Sequence, residues 1–153
     1  MASVIEHGNF TCFGGISVKG QAVATTIVSD SVYYQFLFFD RNSPSRGTTP
    51  DHTNDHITIE VPGTYCVLLN ASAIASNGDE VHIEVKINNG SSTLEDIHAR
   101  STGRGAGVKT NLGAHGFPAL AVGDTVELWI ENETSTDDIT VEDASLSVLR
   151  VGS

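Results

Sequence analysis

The stretch VHIEVKI, residues 81–87, alternates apolar and polar side chains without interruption. Successive side chains of a β-strand point to opposite faces, so this period of two indicates a strand with one buried and one wet face. The same alternation recurs along the chain at a spacing of roughly ten residues. It predicts about ten strands, near residues 14–19, 22–29, 32–39, 56–61, 64–74, 80–88, 94–99, 107–114, 124–131 and 139–150.

Turn clusters separate these strands, as at Asn77-Gly78-Asp79 and Asn88-Asn89-Gly90, and no segment shows a helical stripe. Short alternating strands with frequent turns are typical of an antiparallel sandwich or barrel. Two longer segments, Asp40–Asp55 and Ser101–Gly107, are rich in Gly, Pro, Ser, Thr or Asn, and we expect exposed, mobile loops there. The pattern therefore predicts an all-β protein.

Composition and charge narrow the possible partners. The chain has 153 residues, 39% of them hydrophobic, which suits one domain. Its 19 acidic residues against 8 Lys and Arg give a net charge of −11, which repels nucleic acid and anionic membrane surfaces. The N-terminal residues lack the pattern of a secretory leader, so we expect either cytoplasmic synthesis or a leader already removed. Cys12 and Cys66 are too few for a disulfide framework, and we expect thiols.

Two predicted strands carry apolar side chains on both faces, namely residues 32–39 and 65–69. A two-layer sandwich buries only the inward side of each strand, so the outward side needs a cover. We expect a subunit interface there, formed by Tyr33, Tyr34, Phe36, Phe38, Tyr65, Leu68 and Trp129. The alternative is that the Asp40–Asp55 loop folds back over the sheet, although it lacks large apolar residues.

Particular residues resemble those of a known family. Ile57, Gly63 and Tyr65, followed by Val67 and Leu69, resemble a motif in the globular heads of complement subcomponent one-q. Residues 120–128 are similar to the start of a later strand of that family, and residues 144–151 to its last strand. The similarity covers roughly residues 22–151. Ile57, Val67 and Leu69 stand where the family prefers aromatics, so the resemblance is at the level of the superfamily that includes tumour necrosis factor.

The resemblance implies a ten-stranded jelly roll of the tumour necrosis factor type that assembles as a homotrimer, with Tyr65 near the three-fold axis. The opening, residues 13–20, is also similar to free-standing members encoded by bacteriophages. We predict an N-terminal arm or first strand in residues 1–20, with the arm docking on a larger assembly, and the jelly-roll domain in residues 21–153. A disordered leader is the alternative for the arm.

Candidate chemical groups do not form a catalytic pattern. His52 and His56 lie in a predicted loop, and the Gly-rich segment 103–110 lacks a phosphate loop's spacing. We interpret His82 and His98 as surface residues on wet strand faces. The acidic groups near residues 79–80, 131–133 and 137–138 favour solubility. We therefore predict no catalytic, cofactor or metal residues, with calcium at a three-fold axis as an alternative drawn from the resembled family.

These observations predict a non-enzymatic, trimeric structural or adhesive module. We place it at the surface of a bacteriophage virion, as a capsid decoration or tail-tip protein that contacts a capsid or tail protein. The alternative is an extracellular head of a cellular protein that binds a carbohydrate or a receptor. A third hypothesis is a hydrolase, which would need two converging titratable residues in a pocket.

Overall fold

The computed structural model describes residues 11–153, apart from the side chains of Glu95 and Asp96. Within that range the chain is all-β, as predicted, and no helix there has the length and apolar character that crossing a membrane requires. The strands are β1 (Phe13–Val18), β2 (Tyr34–Gln35), β3 (Arg41–Asn42), β4 (Thr48–Asp51), β5 (His56–Ile59), β6 (Gly63–Ile74), β7 (Glu80–Ile87), β8 (Ser92–Thr102), β9 (Thr110–Gly116), β10 (Ala119–Leu120), β11 (Thr125–Asn132) and β12 (Thr140–Gly152).

The described strands form two six-stranded antiparallel sheets. Sheet I has the order β10-β6-β12-β1-β3, with β9 beside β6 on the same side as β10. Sheet II has the order β4-β5-β11-β7-β8, with β2 beside β11. Most neighbours are far apart in sequence, as in the pairing of β1 with β12, and such crossing connections are typical of a jelly roll.

The hydrophobic core lies between the two sheets because each strand turns its apolar side inward. Sheet II contributes residues such as Ile83, Leu128 and Ile130, and sheet I contributes residues such as Val67 and Leu146. All five side chains are fully buried. The alternation read from the sequence therefore assigns the inward faces of β7, β11 and β12 correctly.

The structure of the segment before residue 40 differs from the two strands predicted there. The predicted strand at residues 22–29 is instead an irregular segment with an isolated bridge between Thr25 and Ile139. The predicted strand at 32–39 retains only β2. Phe36 and Phe39 are both buried although they are three residues apart, with ring centroids 5.0 Å apart. A strand would point them to opposite faces, so the chain leaves extended pairing to bring both rings into the core.

The predicted loop Asp40–Asp55 is also corrected, because it contains β3 and β4. Thr48 and Pro50 of β4 point into the sandwich and are buried, which a reading based on apolar residues does not detect. β1 pairs with both β12 and β3, so residues 13–18 form a strand of the sandwich. Residues 1–10 of the proposed docking arm lie outside the described residues.

Asn132 at the end of β11 holds the loop before β12 in place. Its side-chain amide donates to a carboxylate oxygen of Asp79 at 2.8 Å and to the carbonyl of Asp137 at 3.0 Å. Its side-chain carbonyl accepts from the backbone N–H groups of Thr134 and Ser135 at 3.0 Å each. Both Asn132 and Asp79 are buried, so these bonds replace water for polar groups that the fold has removed from solvent.

Asn132→Asp should lower the free energy of unfolding by about 3 kcal/mol or more, because it sets a second carboxylate against Asp79 and removes the amide donors. Urea denaturation followed by circular dichroism measures the change. The same substitution at the exposed Asn77 is the control, with an expected change within about 0.5 kcal/mol. Equal stability of the two variants would contradict this role for Asn132.

Candidate functional site

The outer surfaces of the two sheets differ in charge. Strand register places the outward side chains of sheet I in rows that cross β1, β12, β6 and β9. We call these rows the low-charge face, and they comprise Phe13, Leu149 and Cys66; Gly15, Ser147, Leu68 and His115; and Ser17, Ser145, Asn70 and Gly113. These rows contain no Asp, Glu, Lys or Arg.

One end of the low-charge face is apolar. Phe13 pairs with Leu149, and Leu149 pairs with Cys66, so three adjacent strands present apolar groups side by side. Leu68 follows in the next row and is 41% exposed. Phe117 lies just beyond β9 with its ring 6.2 Å from that of His115, and it is also exposed. Water therefore contacts several large apolar side chains at this end.

The other end of the low-charge face is made of small side chains. Gly113 and Ser145 flank Asn70 in one row, and Ser17 continues it on β1. A shallow groove of about 540 Å³ runs over this end. Three charged residues, Lys19, Arg41 and Asp143, also line this groove. Short side chains leave the backbone accessible, so another surface can approach it closely.

The outer surface of sheet II is acidic. We call it the acidic face, and it comprises Glu127, Trp129 and Glu131 of β11, His82, Glu84 and Lys86 of β7, His98 and Arg100 of β8, and Tyr33. The ammonium of Lys86 lies 4.5 Å from the centre of the Tyr33 ring and 3.6 Å from the carboxylate of Glu84. Burial, followed by the charge of Glu84, raises the pKa of Tyr33, so its hydroxyl stays protonated beside these carboxylates.

Trp129 is fixed on the acidic face by the turn between β7 and β8. Its indole N–H donates to Glu127 at 2.9 Å, and the other oxygen of Glu127 accepts from the backbone N–H of Asn89 at 2.8 Å. Gly90 follows with a φ of +73°, and a Cβ there would lie 2.7 Å from the indole ring. Only glycine provides both that backbone angle and that space. The turn therefore packs against part of the ring, and Trp129 is half-buried within a single chain.

A histidine and several glutamates meet at the other end of the acidic face. His82 lies opposite Glu131 in the β7–β11 register. Its Nε2 is 2.8 Å from Glu80, and its Nδ1 is 3.7 Å from Glu131. One donor atom from each of His82, Glu131 and Glu133 lies within 4.8 Å of the other two. Among the residues described, this is the group of His, Cys, Asp and Glu side chains whose geometry suits a metal ion.

Charge and burial shift the pKa values in this group in different directions. Burial raises the pKa of Glu131, and the neighbouring Glu133 carboxylate adds to the increase. The hydrogen bond with His82 lowers the pKa of Glu80. His98 packs edge-on against His82 with ring centroids 5.1 Å apart, and partial burial lowers its pKa, as does the proximity of His82. The sequence interpretation of His82 and His98 as separate surface residues is therefore incomplete.

The seven predicted interface residues do not form one surface. Phe36 and Tyr65 are 0% exposed within a single chain, and burial raises the pKa of Tyr65 to about 12, so its hydroxyl donates to the Val61 carbonyl at 2.6 Å. No side-chain area of these two core residues is left for a partner. Tyr34 and Phe38 pack against the core.

The remaining predicted residues lie on opposite sides of the sandwich. Tyr33 and Trp129 belong to the acidic face of sheet II, whereas Leu68 belongs to the low-charge face of sheet I. Sequence reasoning missed Phe13, Leu149 and Phe117. A signal was present, because the outward positions of β1 and β12 hold Gly and Ser where a solvated strand normally carries charged residues.

Comparisons with known proteins concern the fold alone. No protein-family model and no curated protein sequence matches the chain. The Eiger TNF structure from S. frugiperda aligns with a TM-score of 0.68 at 12% identity, covering 94% of each chain. The globular domain of zebrafish complement 1qA protein aligns with a TM-score of 0.63 at 15% identity, covering 92% of this chain and 97% of that one. The crystal structure of murine APRIL at pH 5.0 aligns with a TM-score of 0.62 at 11% identity, covering 92% of this chain and 99% of that one.

The chain therefore has an all-β jelly-roll fold of the tumour necrosis factor type. The fold class predicted from the resemblance of Gly63, Tyr65 and the C-terminal strands is confirmed.

Glu127→Ala should free the turn that packs against Trp129, because it removes the acceptor for the indole N–H and for the Asn89 N–H. We expect the fluorescence of this single tryptophan to shift to longer wavelength and the free energy of unfolding to fall by roughly 1.5–3 kcal/mol. Glu60→Ala, at an exposed glutamate, is the control. An unchanged emission spectrum in Glu127→Ala would show that Glu127 does not hold the ring.

Proposed function

We propose that the chain is a non-enzymatic binding or structural module that assembles as a homotrimer through the low-charge face of sheet I. The observation that carries this proposal is the separation of charge between the two outer surfaces. A chain with a net charge of −11 keeps three successive rows of one sheet face free of Asp and Glu, and Asp143 lies in the row that follows them. Contact between copies through this face would remove it from water with little charge repulsion between the copies.

The energetic argument rests on the apolar end of that face. Phe13, Leu68 and Leu149 are each about two-fifths exposed. Burying the exposed part of each side chain contributes roughly 1 kcal/mol. Phe117 and Val151 are exposed near the same end and add to this contribution. The small side chains at the other end allow the close approach that well-packed interfaces need.

The acidic face is unsuited to contact between identical copies. Each copy would bring Glu84, Glu127 and Glu131 against the same carboxylates of its neighbour. All three carboxylates are buried within a single chain, where Glu84 pairs with Lys86 and Glu127 accepts from the Trp129 indole N–H, so a second copy would add repulsion. The number of copies, three, is supported by the sequence resemblance and by the fold shared with the Eiger and complement 1qA structures.

Multivalent attachment is the function that such an assembly supports best. Three identical sites on one rigid body raise the avidity well above the affinity of a single site, by about 10²–10⁴ for suitable geometry. The attached target is either a capsid or tail protein at a bacteriophage surface or a glycan or receptor outside a cell. The similarity of residues 13–20 to phage-encoded members supports the virion location, whereas the fold shared with animal TNF and complement 1qA structures supports the extracellular one. Immunogold labelling of purified virions, where a phage carries the gene, distinguishes the two locations.

Leu68→Glu tests the assembly, because it places a carboxylate in each copy of the proposed interface. We expect light scattering with size-exclusion chromatography to show a particle of three chains for the unmodified protein. The variant should shift toward the single-chain mass of 16.2 kDa at micromolar concentration. Circular dichroism establishes that the variant remains folded.

Leu37→Glu is the matched control, since Leu37 is 57% exposed and lies outside the low-charge face. It should leave the particle mass unchanged. A single-chain mass for the unmodified protein, or identical behaviour of both variants, would show that this face does not form the interface.

A further inference from the structure

We propose that His82, Glu131 and Glu133 on the acidic face bind one divalent metal ion of the zinc type per chain, with Glu80 as the hydrogen-bond partner that orients His82. The site involves the opposite sheet from the proposed subunit interface, so it is independent of the assembly. Its donors come from β7 and from the end of β11 with the residue that follows.

The hydrogen bond to Glu80 defines which nitrogen of His82 is available. Nε2 lies 2.8 Å from the Glu80 carboxylate, which in its ionised form can only accept hydrogen bonds, so Nε2 carries the hydrogen. In the neutral ring Nδ1 then carries a lone pair, and it faces a carboxylate oxygen of Glu131 at 3.7 Å. One cation placed between these two atoms would contact both of them.

Glu80 therefore plays the part that an outer carboxylate plays in many metal sites. A ligating histidine usually donates its other ring N–H to a carboxylate, which sets the ring orientation and makes the free nitrogen a better ligand. Arg100 lies 3.5 Å from the same Glu80 oxygen and supports it from the far side.

The carboxylates of this group are crowded. Glu131 is only 4% exposed, and one of its carboxylate oxygens lies within 4.8 Å of a carboxylate oxygen of Glu133. The cationic side chain that the structure shows nearest on β7, Lys86, is paired with Glu84. Arg100 on β8 contacts Glu80, so a metal ion between Glu131, Glu133 and His82 would place positive charge directly between the two remaining carboxylates.

The donor set and its spacing favour a transition metal. Imidazole nitrogen together with carboxylate oxygen is typical of zinc and its neighbours, whereas calcium takes oxygen ligands only. Donors at about 2.0–2.2 Å from a tetrahedral zinc ion lie roughly 3.3–3.6 Å apart. The 3.7 Å between His82 and Glu131 is close to that spacing, and Glu133 is exposed and has room to approach. Water would complete the coordination.

Zinc titration of the chelator-stripped, full-length protein tests the site, with a chromophoric chelator as competitor. We expect one zinc ion per chain for the unmodified protein. Glu133→Gln should weaken binding by at least about 10-fold, since loss of even an outer partner typically costs 10–100-fold. Cobalt substitution should give the visible spectrum of a low-coordinate nitrogen and oxygen site, and this spectrum should be lost in Glu133→Gln.

Glu60→Gln is the matched control, because it removes the same charge from an exposed glutamate that follows β5, on the other side of β11 from β7. It should bind zinc like the unmodified protein. Glu133 is exposed, so thermal melting of the metal-free variants should show equal folding. Absence of zinc binding by the unmodified protein, or equal affinity of Glu133→Gln and Glu60→Gln, would overturn the proposal, since binding would then be absent or located at other histidines.

Discussion

Removal of alternate side chains from water between two sheets is the constraint on which the rest of the molecule depends. β6 and β12 form the longest pairing, and their inward residues face those of β7 and β11 across the core. Once the inward half of each strand is buried, the outward half is free to differ from sheet to sheet. The two outer surfaces have opposite character for that reason, one nearly uncharged and one crowded with carboxylates.

The sequence predicts the fold where alternation is strict and misleads where it is not. VHIEVKI corresponds to a strand whose inward residues are as expected, because Val, Ile and charged residues leave no ambiguity about the faces. The aromatic run at 32–39 was interpreted as a strand with two apolar sides. The rings of Phe36 and Phe39 instead both enter the core after the chain leaves β2. β4 was missed because Thr48 and Pro50 occupy inward positions that hydrophobicity does not reveal.

The candidate sites depend on contacts between strands that a single sequence does not fix. His82 and Glu131 are distant along the chain, and the register of β7 against β11 makes them neighbours. Their strands were predicted but not that pairing, so the histidine was interpreted as an isolated surface residue. The sequence carries one indication of the low-charge face, because the small side chains of Ser145 and Ser147 alternate with Leu146 and Val148. Polarity alone does not distinguish a solvated serine from one prepared for close contact.

The acidic face also affects how other molecules approach. Its carboxylates are anchored by neighbours such as Trp129 and Tyr33, so their field has a fixed direction and does not average out as it would on flexible side chains. At physiological ionic strength such a field extends about 8 Å from the surface. A cationic ligand would therefore be drawn to this side of the sandwich and pre-oriented before contact, and added salt would slow its arrival more than it would weaken the final complex.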